Sequence, residues 1–170
     1  SNPIKMGLGK LKSRKGTKFV SVNPVRTGYS AIADEWVGLR PGTDGLFVFA
    51  LIRELLIAEK VDWQYLVRYT NAPWLVIQAP GMRDDGLFAR DKESTRPLCF
   101  DTKTQKLVDA TGLDISPAFV GEYTLPDGRK AVPAFQLFTE RFLDPAYTPE
   151  AVADEIGIPA KQIKRIAAEI

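Results

Sequence analysis

Short apolar runs alternate with helical patterns over the first half of the 170-residue chain. The runs "KFVSV", "EWVGLR" and "WLVIQ" predict strands at residues 18–22, 35–40 and 74–78. Between them, "DGLFVFALIRELL" is apolar on almost every face and predicts a buried helix, and Asp62 can cap a shorter helix, "WQYLVRYT". This alternation predicts an α/β fold with a parallel sheet and flanking helices.

The same pattern leads to expectations about burial. We expect the strand at residues 18–22 to be buried, because Pro24 ends it and cannot continue a central ladder. Trp63 and Tyr69 are expected to pack on the core. Trp36 and Trp74 are expected to be core or domain-interface residues, since each lies in an apolar run.

Composition divides the chain into three regions of one structural unit. Residues 1–80 form the predicted α/β core, residues 81–133 a loop-rich insertion with hairpins, and residues 134–170 a C-terminal helical part. The insertion is rich in Gly, Pro and Asp and carries the turn signal "PDG" and the hairpin pattern "CFDTKTQKLV". In the helical part, Thr148 before a proline predicts an N-cap.

Charge and composition exclude several classes of protein. The chain has 23 basic and 21 acidic residues, a formal net charge of +2, so no overall basic field favours nucleic acid. The longest apolar run contains Arg53 and Glu54 and is too short to span a bilayer, so we expect no membrane segment. With no histidine and one cysteine, Ser-His-Asp chemistry, Cys-His chemistry and the usual zinc sites are excluded.

Two polar loops follow the first two predicted strands. In the first loop, residues 23–27, Arg26 is suited to phosphate oxygens, and the alternative is an ordinary turn with a surface arginine. In the second loop, residues 40–45, Gly42 permits close approach to the backbone and Asp44 offers acceptors to guanine or a ribose diol. The alternative there is a helix cap. Neither loop is a Walker A or GxGxxG sequence, so the residues alone indicate only a nucleotide-like ligand.

Several motifs in this order carry a resemblance to a known family. The opening "SNP", the run "NPVRT…AD.W…RPGTDG" and the ending "YTPEAVADEIGIPAKQIKRIAAE" resemble the molybdopterin oxidoreductases of the dimethyl sulfoxide reductase, formate dehydrogenase and nitrate reductase superfamily. The resemblance implies a bis-(molybdopterin guanine dinucleotide) molybdenum cofactor. It also implies that a Rossmann-like α/β domain holds this cofactor at its strand-end loops.

The resemblance extends to individual positions. Ser1, Asn2 and Pro3 match a family loop that faces the cofactor. The first polar loop, residues 23–27, matches a family loop that commonly reads Asp-Pro-Arg. The second polar loop matches the family's "PGTD" loop, which contacts the guanine nucleotide. Asn23 stands where an acid is common, and Asp44 is the candidate for reading the base. The implied cofactor-binding residues are Asn2, Pro3, Asn23, Pro24, Val25, Arg26, Thr27, Gly42, Thr43 and Asp44.

Parts that define the whole enzymes have no counterpart in the chain. The iron–sulfur segment, the molybdenum ligand and the domain that closes over the second pterin have no match. We therefore expect an excised piece of a large catalytic subunit, not catalytic alone, with a formate dehydrogenase-like or nitrate reductase-like parent. The implied partners are the remaining domains of the parent and iron–sulfur and electron-transfer proteins.

Two alternatives from other classes stay open. Residues 149–170 place Ala153, Gly157 and Ile163 at the spacing of a helix-turn-helix. Its second helix would present four side chains to DNA, namely Lys161, Gln162, Lys164 and Arg165. The low net charge argues against DNA binding. The other alternative is an α/β protein-interaction domain without a small-molecule ligand.

Overall fold

Helices and short strands alternate along the computed structural model, which describes residues 3–13, 16–26 and 28–170. The helices and strands, in chain order, are α1 (Pro3–Lys12), β1 (Val20–Val22), β2 (Glu35–Val37), α2 (Asp44–Ile57), α3 (Trp63–Tyr69), β3 (Leu75–Gln78), β4 (Leu98–Asp101), β5 (Lys106–Asp109), β6 (Tyr123–Thr124), β7 (Lys130–Pro133), α4 (Ala134–Phe142), α5 (Pro149–Ile156) and α6 (Ala160–Glu169). Short 3₁₀ turns lie at Gly28–Ala31 and Pro145–Tyr147. The predicted α/β class is confirmed.

Contacts divide the chain into two compact units. The first unit combines Ser1–Ala58 with Asp144–Ile170, and the second is Glu59–Leu143. This grouping differs from the division by composition because α5 and α6 pack on α2, far earlier in the sequence.

Parallel pairing in the described residues is confined to β1 and β2, which align Ser21 with Trp36. The strand predicted at residues 74–78 is β3, and it pairs antiparallel with β7 instead of extending a parallel sheet. The chain between β3 and β7 contains only short strands and loops, without the helical crossover that usually joins parallel strands. The Rossmann-like sheet predicted from the sequence is therefore present only in part.

The first unit closes around one apolar cluster between β2, α2, α5 and α6. Its buried members are Val37, Leu39, Phe47, Ala50, Val152, Ile156, Ile158, Ile163 and Ile166. Thr148 caps α5, as predicted, by accepting a hydrogen bond from the N–H of Ala151 at 3.2 Å. Gly157 ends α5 with φ of 85°, in the left-handed region that favours glycine.

Burial in the first unit is lower than the sequence predicts. Helix α2 buries only Phe47 and Ala50, and Val48 is 46% exposed, because α5 and α6 cover one face of the helix. Strand β1 buries Ser21 and leaves Val22 exposed, because the side chains of these consecutive strand residues point to opposite faces of the sheet. The predictions of a fully buried helix and a buried first strand are wrong.

The second unit has a separate core. It consists of Leu75, Ile77, Ala89, Leu98, Leu125 and Ala131. Asp62 caps α3, as predicted, and accepts the N–H of Tyr65 at 2.9 Å. Trp63 packs on the rings of Phe119 and Phe135 but is 47% exposed, so it packs on the core only in part. Tyr69 is 66% exposed, so its predicted packing on the core is wrong. The predicted hairpins are present as β4–β5 and β6–β7.

Candidate functional site

The ends of β1 and β2 bring the two polar loops to the same edge of their small sheet. The strands are parallel, and their last paired residues are Val22 and Val37. The N–H of Asn23 donates to the carbonyl of Val37 at 3.0 Å, so pairing extends to the first residue of the first loop. Carboxyl ends of adjacent parallel strands are where α/β folds place ligands.

The first loop is a tight turn fixed by its own side chain. Asn23 Oδ1 accepts a hydrogen bond from the N–H of Val25 at 2.9 Å and turns the chain at Pro24. An aspartate can make the same bond, so the asparagine preserves the turn. Val25 and Arg26 that follow are exposed.

Trp36 connects the first loop to β2. Its indole N–H donates to the carbonyl oxygen of Asn23 at 2.9 Å, and the guanidinium carbon of Arg26 lies 6.0 Å from the centroid of the indole ring. The sequence predicted Trp36 as a core or interface residue, whereas the structure places it half-buried at the loop. A tryptophan two residues before a glycine at a strand end is the signal that could have indicated this position.

The second loop presents backbone and carboxylate groups to solvent. Gly42 has φ of 84°, and no atom lies within 4 Å of the position a Cβ would take, so its backbone conformation, not space, requires glycine. Thr43 occupies the N-cap position of α2, but its hydroxyl donates back to the carbonyl of Arg40 at 2.8 Å and makes no cap hydrogen bond. The capping alternative therefore does not account for the threonine side chain.

Asp44 is the first residue of α2, and its side chain is exposed. Within the described residues, its carboxylate has no hydrogen-bond or ion-pair partner. A carboxylate in the first turn is stabilised by the helix dipole, yet it keeps its lone pairs for an external donor.

The remaining predicted residues are Asn2, Pro3 and Thr27. Asn2 and Thr27, with Ser1, lie outside the described residues. Pro3 begins α1. The loop with Asn23, Pro24, Val25 and Arg26 and the loop with Gly42, Thr43 and Asp44 thus each follow the carboxyl end of one of the two parallel strands.

At the opposite end of β2, Glu35 is the centre of a charged network. It forms an ion pair with Lys18 (3.1 Å) and another with Arg165, and it accepts a hydrogen bond from Gln162 at 3.1 Å. Partial burial alone would raise the pKa of Glu35, but these three donors together lower the pKa below its ordinary 4.5. Glu169 bridges Lys18 and Arg165 at 2.6 Å each and completes the network.

The network also bears on the helix-turn-helix alternative. Gln162 and Arg165 are engaged by Glu35, and Lys164 pairs with Glu150 at 2.6 Å. Three of the four α6 side chains predicted to contact DNA are thus paired with acidic groups of the same unit. The structure therefore disfavours a DNA-reading second helix.

A cavity of about 840 Å³ lies within the second unit, and none of the predicted cofactor-binding residues lines it. Its lining includes Trp63, Arg68, Asn71, Trp74 and Phe119. Among the residues that the structure describes, no group of three or more His, Cys, Asp or Glu side chains could hold a metal ion. No helix in that part of the chain is long and apolar enough to cross a membrane.

Comparison with known proteins identifies relatives of the chain. No protein-family model matches it. A sulfite dehydrogenase subunit of Allochromatium vinosum is 47% identical over the whole chain, and the alpha subunit of perchlorate reductase from Dechloromonas aromatica is 28% identical over 91% of it. The major subunit of formate dehydrogenase-O from Escherichia coli is 36% identical over 45% of the chain. The matched segments span 18%, 20% and 8% of these relatives' own lengths.

The chain belongs to the molybdopterin oxidoreductase superfamily of dimethyl sulfoxide reductase, formate dehydrogenase and nitrate reductase, and it corresponds to a segment of their large catalytic subunits. This confirms the family that the sequence motifs indicated. The sulfite dehydrogenase subunit is the relative that matches at 47% identity from end to end of the chain. Members of this superfamily carry a molybdopterin cofactor.

Proposed function

We propose that the β1–β2 edge holds the guanine nucleotide arm of a bis-(molybdopterin guanine dinucleotide) cofactor in the parent enzyme. The observation that carries the proposal is the parallel pairing of β1 and β2. That pairing brings the "NPVRT" and "PGTD" loops, which lie about 20 positions apart in the sequence, to one edge.

Each loop contributes a different chemistry to the proposed site. Arg26 would bind diphosphate oxygens, because a guanidinium donates two parallel hydrogen bonds to such groups. Asp44 would accept from the N1–H and 2-amino group of guanine, since its exposed carboxylate presents two acceptors in parallel. The open space around the left-handed Gly42 allows the nucleotide to approach the backbone.

The residues present therefore fit a guanine nucleotide. When bound, the molybdenum centre of the cofactor supplies the redox chemistry, and the protein supplies binding and orientation. In this segment, Arg26 and Asp44 hold the nucleotide, and the Asn23–Val25 hydrogen bond keeps the first loop in the shape that presents Arg26.

A titration with GDP, followed by backbone amide NMR shifts, tests the assignment. A separate titration with ADP is the control for selectivity. We expect shifts centred on residues 23–27 and 42–44 that are selective for guanine and lost in Asp44→Ala. Asp114→Ala is the matched control, because Asp114 is an exposed aspartate of the second unit. Equal shifts with both nucleotides, or an unchanged response in Asp44→Ala, would refute the assignment.

The reaction of the parent is a separate proposal. We infer that the parent oxidises a small sulfur oxyanion, because the 47% match is to a sulfite dehydrogenase subunit. The formate dehydrogenase and nitrate reductase types expected from the sequence are the other candidates, supported by 36% identity over 45% of the chain and 26% identity over 67% of it. Assay of the full-length, cofactor-loaded parent with sulfite, formate and nitrate decides between them, and turnover of formate alone would contradict the first.

We also propose the partners that the family implies. The chain corresponds to about a fifth of a catalytic subunit, so the remaining domains of the parent would surround it. Iron–sulfur centres would carry electrons to or from the cofactor. Purification of the full-length parent with iron and molybdenum analysis tests this arrangement, and a preparation active without iron would contradict it.

A further inference from the structure

Trp36 contacts the first loop of the proposed nucleotide site and Gly38, which follows β2. Its indole N–H is bonded to the carbonyl of Asn23 in the first loop, while its ring lies against Gly38, which leads towards the second loop. The residue is half-buried, so part of the indole reaches the surface beside Arg26. A tryptophan that served only to fill the core would not need a hydrogen bond to Asn23 or a position beside Arg26.

Gly38 explains how the ring reaches this position. A Cβ built on Gly38 would lie 2.6 Å and 2.8 Å from two carbons of the indole ring. Such distances are well below van der Waals contact, so any larger residue would displace the ring. The φ angle of Gly38 is not positive, so its backbone conformation does not require glycine. The close approach of the Trp36 ring does require it.

Arg26 is the group that this arrangement controls. Its guanidinium carbon lies 6.0 Å from the indole centroid, at the outer limit of a cation–π contact. A guanidinium resting on an aromatic face loses little of its charge and still presents N–H groups at its edge to an anion. The indole thus limits the positions of an exposed, flexible side chain.

We propose that Trp36 is a positioning residue that holds Arg26 and the Asn23 carbonyl in place to receive the diphosphate of the bound nucleotide. The proposal rests on the proposed function, because it assumes a nucleotide at the β1–β2 edge. It assigns to Trp36 an effect on phosphate binding and none on recognition of the guanine base.

Binding of GDP and of guanosine, measured by NMR titration, separates these two effects. Trp36→Phe keeps an aromatic ring but removes the indole N–H. We expect it to weaken GDP binding roughly three- to tenfold, the usual effect of one lost hydrogen bond. Guanosine binding should change by less than about twofold, because guanosine has no phosphate for Arg26 to hold. Trp63→Phe, in the second unit, is the matched control and should leave both affinities unchanged.

Two further variants make the result specific. Gly38→Ala leaves the indole chemically intact but displaces it, so it should reproduce the loss of GDP affinity. The double variant Arg26→Ala with Trp36→Phe should bind GDP about as weakly as Arg26→Ala alone, because the guanidinium that Trp36 positions is already absent. Unchanged core amide shifts in Trp36→Phe would show that the unit remains folded.

The outcomes distinguish this inference from the function on which it rests. If the unaltered chain does not bind GDP, or Asp44→Ala binds it normally, the proposed function fails and this inference fails with it. If Asp44→Ala loses binding but Trp36→Phe behaves like Trp63→Phe, the function stands and the role of Trp36 is wrong. Equal losses of GDP and guanosine in Trp36→Phe would also overturn it, since they indicate general damage to the site.

Discussion

Asp101 accepts more hydrogen bonds than a surface carboxylate normally does. The hydroxyl and N–H of Thr104 donate to Oδ2 at 2.6 Å and 3.1 Å, and the N–H of Ser116 donates to Oδ1 at 2.9 Å. These donors lower the pKa of Asp101 from 3.8 to about 2, against the opposing effect of burial. The side chain fixes both the β4–β5 turn and the segment around Ser116.

Asp101→Asn should therefore lower the stability of the second unit at neutral pH. Because the folded pKa is lowered, the contribution of the carboxylate is present above pH 3.8 and is lost as pH falls towards 2. Thermal unfolding of both proteins from pH 2 to pH 6 tests this. The difference between them should shrink in acid, and a constant difference would contradict the prediction. Asp114→Asn is the control.

Cys99 illustrates the opposite effect on a titratable group. It is completely buried in β4, and burial, with smaller contributions from Asp101 and Asp109, raises the pKa of its thiol to about 11. We expect iodoacetamide at pH 8 to leave Cys99 unmodified in the folded chain and to alkylate it readily in guanidinium, as mass spectrometry would show. Rapid alkylation under native conditions would contradict this.

Side chains differ in how far the sequence reveals their roles. Thr148 and Asp62 cap their helices as predicted, because a cap joins groups only three residues apart. Thr43 has the same local signal, but its hydroxyl bonds the carbonyl of Arg40 instead. The contact of Trp36 with Asn23 depends on the pairing of β1 and β2, which no local pattern determines.

Helix α6 is joined to β2 through the charges around Glu35. Three groups meet its carboxylate: Lys18 before β1, and Gln162 and Arg165 on α6. Glu35 is only 20% exposed, so its pairs are less screened than those on the surface. The network therefore ties the end of the chain to the strand that carries Trp36.

Glu35→Gln should destabilise the first unit by about 1 to 3 kcal/mol, since it weakens hydrogen bonds to charged donors. Because the folded pKa of Glu35 is lowered, its contribution is present above pH 4.5 and is lost as pH falls below that value. Urea unfolding at pH 7 and pH 4 measures both effects. Glu150→Gln breaks a more exposed pair and is the control; an equal effect of both variants would contradict the prediction.

Helices follow from the sequence more directly than strand partners do. Caps mark the starts of α3 and α5, and runs of apolar residues indicate α2 and α6, because both kinds of signal are local. The partner of β3 is β7, more than 50 residues later, and an apolar run of four or five residues does not specify it. Burial of α2 was overestimated for a similar reason, since it depends on which helices pack on it.

Deleting residues 144–170 should affect the two units unequally. The deletion removes Val152, Ile156 and Ile163 from the core of the first unit and leaves the core of Glu59–Leu143 intact. Hydrogen exchange should show lost protection in α2 with retained protection in β3 and β7. Uniform loss of protection in both units would contradict this prediction.

The discontinuity of the first unit also determines when it can form during synthesis. A ribosome produces β1, β2 and α2 first, but the residues that complete their core follow only after the whole of Glu59–Leu143. The second unit can therefore fold on the nascent chain while the first unit waits. Arrested nascent chains probed with protease would show resistance at β3–β7 before resistance at α2. The β1–β2 edge, which we propose binds the nucleotide, lies early in the sequence but would be among the last parts of the chain to become competent for that ligand.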